Sequence, residues 1–366
     1  MSKRYLYIIS LVVITSACFG QSQGIQTDTI SAKKINMLLV PIVFYTPETS
    51  FAGGAGGQIF FKTNKSAKTL DSNIFGSVVY TANKQFILEA KPQLYFGNKN
   101  YFLNAAIKYR VYPNFFWGLG PNTPDSAEEG YNQTETTITA SFLKRLPSNV
   151  NFGFEFNYGN YNITEVQEGG LLESGTIEGS EGANLVGLGV VLNVDSRDNI
   201  FAPLGGEFYQ FKTNFNSRVM GSTHSFNTYH IDLRKYISLG NNNVPAMQVY
   251  TRFTFGNSPF QAKAYYGGAD VARGYFKGRY IDDHLYVVQL EYRKPIMKRW
   301  ELGAFILTGN VGHEEPGQEL FSDFKSSFGF GPRFFIFEDQ RTLLRLDIGY
   351  DQFGNSGIYF GINEAF

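Results

Sequence analysis

The side chains best suited to chemistry in this chain are acids set among apolar neighbours, and an arginine in a glycine-jointed loop. Glu291 lies in "LYVVQLEYRKP" and Asp347 in "LLRLDIGY". Two such acids, brought together, could do acid–base work. Placed beside arginines they make a charge network instead, the ordinary state of buried carboxylates. The loop "YYGGADVARGYFKGRYIDDH", Tyr265 to His284, carries a bare Arg-Gly-Tyr at Arg273, Gly274 and Tyr275. His224, His230, His284 and His313 show no H-E-x-x-H spacing, and "GHEEPG" at His313 reads as a solvated acidic loop. There is no G-x-S-x-G elbow, and "GGAGG" lacks the Lys-Ser/Thr of a phosphate loop. The expectation is no enzyme, no catalytic residue, no metal and no cofactor.

Composition narrows the class. The 366 residues include 32 basic and 32 acidic side chains, so the basic surplus of a nucleic-acid binder is missing and no nucleic-acid partner is expected. With 35 Phe, 23 Tyr and 39 Gly, the chain suits many strands and turns. Its start, "MSKRYLYIISLVVITSACFGQ", has Lys3 and Arg4 before an apolar run from Tyr5 to Thr15. That is a secretory signal over residues 1–20, cut before Gln21. Cys18 is the only cysteine, and its lipidation is the alternative to ordinary cleavage. An exported chain with one cysteine has no disulfide framework. No other segment reaches the roughly 18 apolar residues of a spanning helix.

The elements that must position these groups read as strands. In "LYVVQLEYRKP" Tyr286, Val288, Leu290 and Tyr292 form one face, and Gln289, Glu291 and Arg293 the other. In "LLRLDIGY" Leu344, Leu346, Ile348 and Tyr350 alternate with Arg345, Asp347 and Gly349. "YFLNAAIKYRVY" (Tyr101 to Tyr112) leaves its two faces undecided. A charged face opposite an apolar face ending in Tyr or Phe is the pattern of a lumen and an aromatic girdle. Strands are expected near 35–45, 52–62, 72–82, 85–96, 101–112, 131–145, 149–160 and 183–194. Eight more follow near 206–216, 225–238, 246–256, 285–294, 299–309, 326–337, 341–350 and 356–366. An even total of sixteen suits an all-β, antiparallel transmembrane barrel.

Loop length supplies an independent check. With both termini periplasmic, the inner turns are short, such as "GNKN", "LPSN", "GNNNVP", "PIMKR" and "EDQ". The outer set holds the long ones, 113–130, 161–182, 257–284 and 310–325. Residues 21–34 form a short periplasmic segment and 35–366 the barrel. About 15 residues between signal and barrel leave no room for a folded periplasmic domain.

These residues resemble the bacterial surface-antigen barrels, the group of BamA, TamA and the two-partner-secretion transporters. The resemblance runs from about Ile35 to Phe366 and is strongest after 185. "VDSRDNIFAPLGGEF" resembles the family's D-x-R-D…P-x-x-G periplasmic turn, through Asp195, Arg197, Asp198, Pro203 and Gly206. "YYGGADVARGY" with "LEYRKPI" resembles its G-G…R-G-[FY]…E-Y-R segment. "GFGPRF", containing Arg333, resembles the late G-x-G-x-R strand, and "LLRLDIGY" the R-x-D-x-G strand after it. "IYFGINEAF" is similar to the last strand.

The resemblance implies a sixteen-stranded barrel whose sixth external loop folds into the lumen. Its tip, Arg273, Gly274 and Tyr275, would then meet the inner wall. The family's acidic partner for that arginine sits in an F-x-D-x-G strand. Here "AFILTGNVG" keeps Phe305 and Gly309 but has Leu307 at the acidic position. The arginine must find another carboxylate, or the loop is held less tightly. Glu291 and Asp347, with Arg333, are the wall candidates. The alternative is that Arg273 is a solvated loop residue beside Lys277 and Arg279.

On the closing strand Ile358, Phe360 and Ile362 alternate and Phe366 ends the sequence, like the signal by which assembly machinery recognises barrels. In the family, the seam between first and last strands is short of hydrogen bonds and able to open sideways. Gly53, Gly54, Gly56 and Gly57 crowd the second strand, where they permit bending or close packing. Members that insert or translocate proteins receive clients on periplasmic (POTRA) domains, so this chain is like the short members that lack them. The function implied is help in outer-membrane protein assembly or translocation, as a subunit of a larger complex. A pore or passive transporter, or a structural surface barrel, is the alternative. The expected partners are the lipid bilayer, lipopolysaccharide, and an assembly complex or client proteins. The expected location is the outer membrane of a Gram-negative bacterium.

Overall fold

A computed structural model of the chain describes residues 36–61, 72–97, 100–313, 320–338 and 341–366. The expected signal, with Cys18, and the periplasmic segment 21–34 lie outside the described residues. The strands are β1 (Asn36–Thr46), β2 (Ser50–Phe61), β3 (Ser72–Thr81), β4 (Phe86–Phe96), β5 (Tyr101–Phe116) and β6 (Glu129–Arg145). Then come β7 (Val150–Val166), β8 (Ala183–Asp195), β9 (Gly206–Asn216), β10 (Phe226–Tyr236) and β11 (Val244–Gly256). Two short strands, β12 (Ala264–Tyr266) and β13 (Tyr280–Asp282), form a separate hairpin. The series ends with β14 (His284–Met297), β15 (Trp300–Gly312), β16 (Lys325–Phe337), β17 (Thr342–Asp351) and β18 (Ser356–Ile362).

All but β12 and β13 belong to one 16-stranded antiparallel sheet, ordered as in the sequence. It curls until β18 lies beside β1. Among the described residues no backbone ladder joins those two strands. The pleat does the sorting. On β14, Leu290 and Tyr292 are exposed while Gln289, Glu291 and Arg293 are buried. Leu188, Phe154, Ile306, Phe328 and Phe330 extend the outer apolar band, which suits hydrocarbon. The undecided β5 turns Ile107, Tyr109 and Val111 outward and brings Arg110 to Glu135 of β6, 2.5 Å away.

Two expectations on extent need correction. β5, β6 and β7 run past their expected outer ends, to Phe116, from Glu129 and to Val166. Apolar packing by Phe116, Tyr131 and Leu172 supports these extensions beneath the outer loops. The last strand, expected over 356–366, stops at Ile362. Had it continued, Glu364 would share the outward face of Ile358 and Ile362, against lipid, where a carboxylate is costly. Instead Asn363 takes φ +67° and the chain turns inward.

The long segment 257–283 between β11 and β14 organises the outer end. Phe260 N–H donates to Glu178 O at 2.8 Å, and Gly120 N–H to Ile281 O at 2.8 Å. Arg279 donates to Thr123 O at 2.8 Å and to Asp125, and Lys277 N–H reaches Glu48 Oε1 at 2.7 Å. One loop thus ties three others together across the mouth.

Candidate functional site

The tip of that loop reaches the wall made by β14 to β18. Gly274 has φ +109°, and a Cβ there would lie 2.9 Å from Ser327 Cβ. Only glycine suits both the left-handed backbone and the close approach. Gly349 on β17 provides the other half: a Cβ on it would lie 2.8 Å from Gly274 N. The R-x-D-x-G pattern therefore places its glycine where the tip must pass. Gly274 N–H donates to Tyr359 Oη at 2.9 Å, and that hydroxyl donates to Tyr275 O at 3.1 Å. Ser327 Oγ donates to Arg273 O. Tyr275 is buried beside Tyr266 and Tyr280, and its hydroxyl donates to Ser326 O at 3.1 Å.

These contacts aim Arg273 at two acids. Its guanidinium is 0 % exposed, so it is not the solvated loop residue of the alternative. It donates to Asp347 Oδ2 at 2.5 Å and to Glu291 Oε2 at 2.6 Å. Phe305 lies under it, 3.7 Å from Cζ to the ring centroid, a cation–π contact in a dry site. Arg333 donates to the other Asp347 oxygen at 2.6 Å and stands 3.3 Å from Glu291 Oε1. Arg293 donates to Glu291 Oε1 at 2.7 Å, and Arg345 approaches Asp347 at 3.5 Å.

Leu307, at the family's acidic position, packs with Tyr266, Ala272, Tyr275, Leu285, Val287 and Phe305. The wall thus offers carboxylates on β14 and β17 and an apolar seat on β15. Of the two outcomes open to the arginine, the structure has the first: other carboxylates receive it, and apolar packing holds the neighbouring loop.

The inward turn after β18 joins the same network. Glu364 stands 3.4 Å from Arg333 Nε and 3.6 Å from Arg293 Nε. Phe366 is buried against Tyr236, and its carbonyl accepts from Arg293 at 3.1 Å. Ile358 and Ile362 are exposed and Phe360 is half-buried, but Phe366 is not on their face. The expected strand signal is therefore split, with its aromatic end inside the barrel.

Arg293, Arg345, Glu364 and Tyr359 were not among the expected site residues. Parity marks the first two, each two positions from an acid on the same strand. The sequence signal for Glu364, which the strand expectation over 356–366 passed over, is its place on the lipid side of the alternation.

The remaining expected group forms a turn between β8 and β9. Arg197 clasps Asp195 at 2.8 and 2.9 Å and lies over Phe208. Asp198 Oδ1 accepts from the N–H groups of Leu204 at 2.9 Å and Gly205 at 3.2 Å. Pro203 is buried, and Gly206 takes φ +101° to start β9. The turn contacts the other inner segments: Arg341 donates to Ala202 O at 2.7 Å, and Glu364 N–H to Phe201 O at 3.2 Å. Its polar groups are spent on shaping and anchoring it. Among the described residues no cluster of His, Cys, Asp and Glu has the arrangement of a metal site.

The model of the Omp85 superfamily domain matches residues 60–366. The chain belongs to the Omp85 superfamily. Among solved structures, it is similar to BamA from Haemophilus ducreyi lacking POTRA domains 1-3, at 12% identity and TM-score 0.64, covering 91% of this chain and 70% of that one. It is similar to CdiB from Escherichia coli at 10% identity and TM-score 0.62, covering 91% of this chain and 63% of that one. For CdiB from Acinetobacter baumannii the identity is 11%, the TM-score 0.55 and the coverages 90% and 65%. The chain thus spans less than two thirds of either CdiB structure. Among curated proteins no sequence matches it. Omp85 membership and the barrel fold place the protein in a bacterial outer membrane.

Proposed function

We propose that this Omp85 barrel assists the assembly or translocation of outer-membrane proteins, as one subunit of a larger complex. The observation that carries the reading is the seam: β1 and β18 are neighbours without a ladder among the described residues. Unpaired backbone groups at membrane depth are costly, so such edges favour pairing with a strand from another chain. Pro41 in β1, a residue confined to sheet edges and bulges, suits a strand that is not fully paired. β18 has only 7 residues against 11 in β1, so its ladder could not cover the whole of that edge.

The loop lock supports the same reading over an open pore. The tip of segment 257–283 rests on the wall, and the same segment binds the outer loops together, so solute flow would have to break both sets of contacts. The test is depletion of the protein followed by a quantitative outer-membrane proteome. A broad fall in other barrels supports assembly, and a fall confined to one secreted substrate supports translocation. An unchanged proteome and secretome would sink the reading.

A further inference from the structure

The inner turns after β10, β14 and β16 border a cavity of about 290 Å³. Its boundary includes Asn242, Lys298, Arg299, Glu301, Phe335 and Arg341. The volume is at the lower limit of small-molecule sites, enough for a lipid headgroup and not for a whole lipid.

Glu301 is the unusual member. It is 2% exposed, and among the described residues its carboxylate has no hydrogen bond and no ion pair. Glu364 and the guanidiniums of Arg293, Arg333 and Arg341 are near enough to feel its charge, but none of those cations is within ion-pair distance. Its cross-strand neighbour Arg333 turns instead to Asp347 and Glu364. The carboxylate oxygens are not sealed in by protein; they open into the cavity. A buried carboxylate without a donor is costly, and the partner it lacks is a cation with N–H groups to give.

At the mouth the sign reverses. Lys298 is exposed at the tip of the β14–β15 turn and has no ion pair among the described residues. The other two cations are already engaged: Arg299 pairs with Glu338 at 2.6 Å, and Arg341 donates to Ala202 O at 2.7 Å. An occupant must therefore lead with a cation and follow with an anion. The same stretch of rim exposes Ile237, Leu239, Ile296, Met297 and Trp300. A tryptophan beside a basic tip marks the membrane–water interface, where lipid headgroups lie. The order of charges and the place in the membrane together fit a lipid whose ammonium is terminal and whose phosphate comes next.

We infer that this cavity binds the headgroup of phosphatidylethanolamine, with its ammonium on Glu301, its phosphate on Lys298, and its acyl chains outside along Ile296, Met297 and Trp300. The methylated ammonium of phosphatidylcholine has no N–H for Glu301, and phosphatidylglycerol has no cation at all. The site is apart from the seam, and the inference does not depend on the assembly role proposed above.

The test is native mass spectrometry of the full chain, delipidated in detergent and offered dioleoyl phosphatidylethanolamine, phosphatidylcholine and phosphatidylglycerol in equal amounts. One phosphatidylethanolamine per chain is expected to be retained, with about tenfold preference over either other lipid. Glu301→Gln should abolish that preference and leave phosphatidylglycerol binding unchanged. Lys298→Gln should weaken phosphatidylethanolamine and phosphatidylglycerol alike. Lys144→Gln, on the inner rim at the end of β6, should behave as the parent does. Heat-modifiable migration on gels verifies that each variant is a folded barrel. Soluble phosphoethanolamine lacks the chains and should bind much more weakly; binding as tight as the lipid's would make the occupant a soluble compound and overturn the proposal. No retention by the folded parent, equal retention of the three lipids, or a preference untouched by Glu301→Gln overturns it as well.

Discussion

Along β14 to β18 the lumenal arginines and carboxylates meet one another and the loop arginine, whereas along β6 to β11 the wall lines a cavity of about 310 Å³ in which Glu155 and Lys212 form an ion pair of their own. The same loop makes both situations. Its tip is drawn to one side by Asp347, Glu291 and the apolar seat around Leu307, and so it cannot fill the other. The difference teaches that the tip of the plug is one-sided, while its base at Ala262 packs on Ala183, Leu185 and Phe226. On the packed side each group is needed by its neighbours, because a charge stripped of its partner in a dry site is far costlier than the pair was worth. On the open side Glu155 also has partners, Lys212, Ser141 and Asn157, but Lys212 is part-exposed and can turn to water, so change there should be better tolerated.

Unfolding in detergent can break this comparison. The largest effect is expected from Arg273→Ala, which leaves two buried acids each short of a donor and should cost about 3–5 kcal/mol. The same variant should make segment 257–283 sensitive to limited proteolysis. Next is Leu307→Ala, whose cavity in the apolar seat should cost about 2–4 kcal/mol. Tyr359→Phe leaves Gly274 N–H and Tyr275 O without their common partner, and about 1–2 kcal/mol should be lost. Smallest is Glu155→Gln on the open side, where Lys212 is part-exposed and can turn to water; about 1 kcal/mol or less is expected. If Glu155→Gln proves as damaging as Arg273→Ala, the two sides are not unlike in the way described.

Much of the fold was legible because a barrel strand is a local object. Residues two apart share a face, one face meets lipid, and the alternation in "LYVVQLEYRKP" or "LLRLDIGY" can be read without knowing any neighbour. The β12–β13 hairpin was not legible in this way, since three-residue strands carry too little pattern and Tyr266 and Tyr280 are held by the loop's own cluster. The inward turn at Asn363 was half legible. Glu364 sits out of place on the lipid face, but nothing local says that Arg293 and Arg333 wait inside to receive it.

For the candidate site the division is similar. Local sequence is enough to mark Arg273-Gly274-Tyr275 as a tight basic tip, and to turn Glu291, Arg293, Arg345 and Asp347 inward by parity. It also shows that Leu307 cannot be the arginine's partner. Which acids receive Arg273, and that both do, depends on the register of β14 through β17 and on where a loop more than sixty residues before Asp347 comes to rest. The open cavity likewise follows from the loop's choice of side. Pairing between distant charges is a property of three-dimensional proximity, and alternation along one strand carries no information about it.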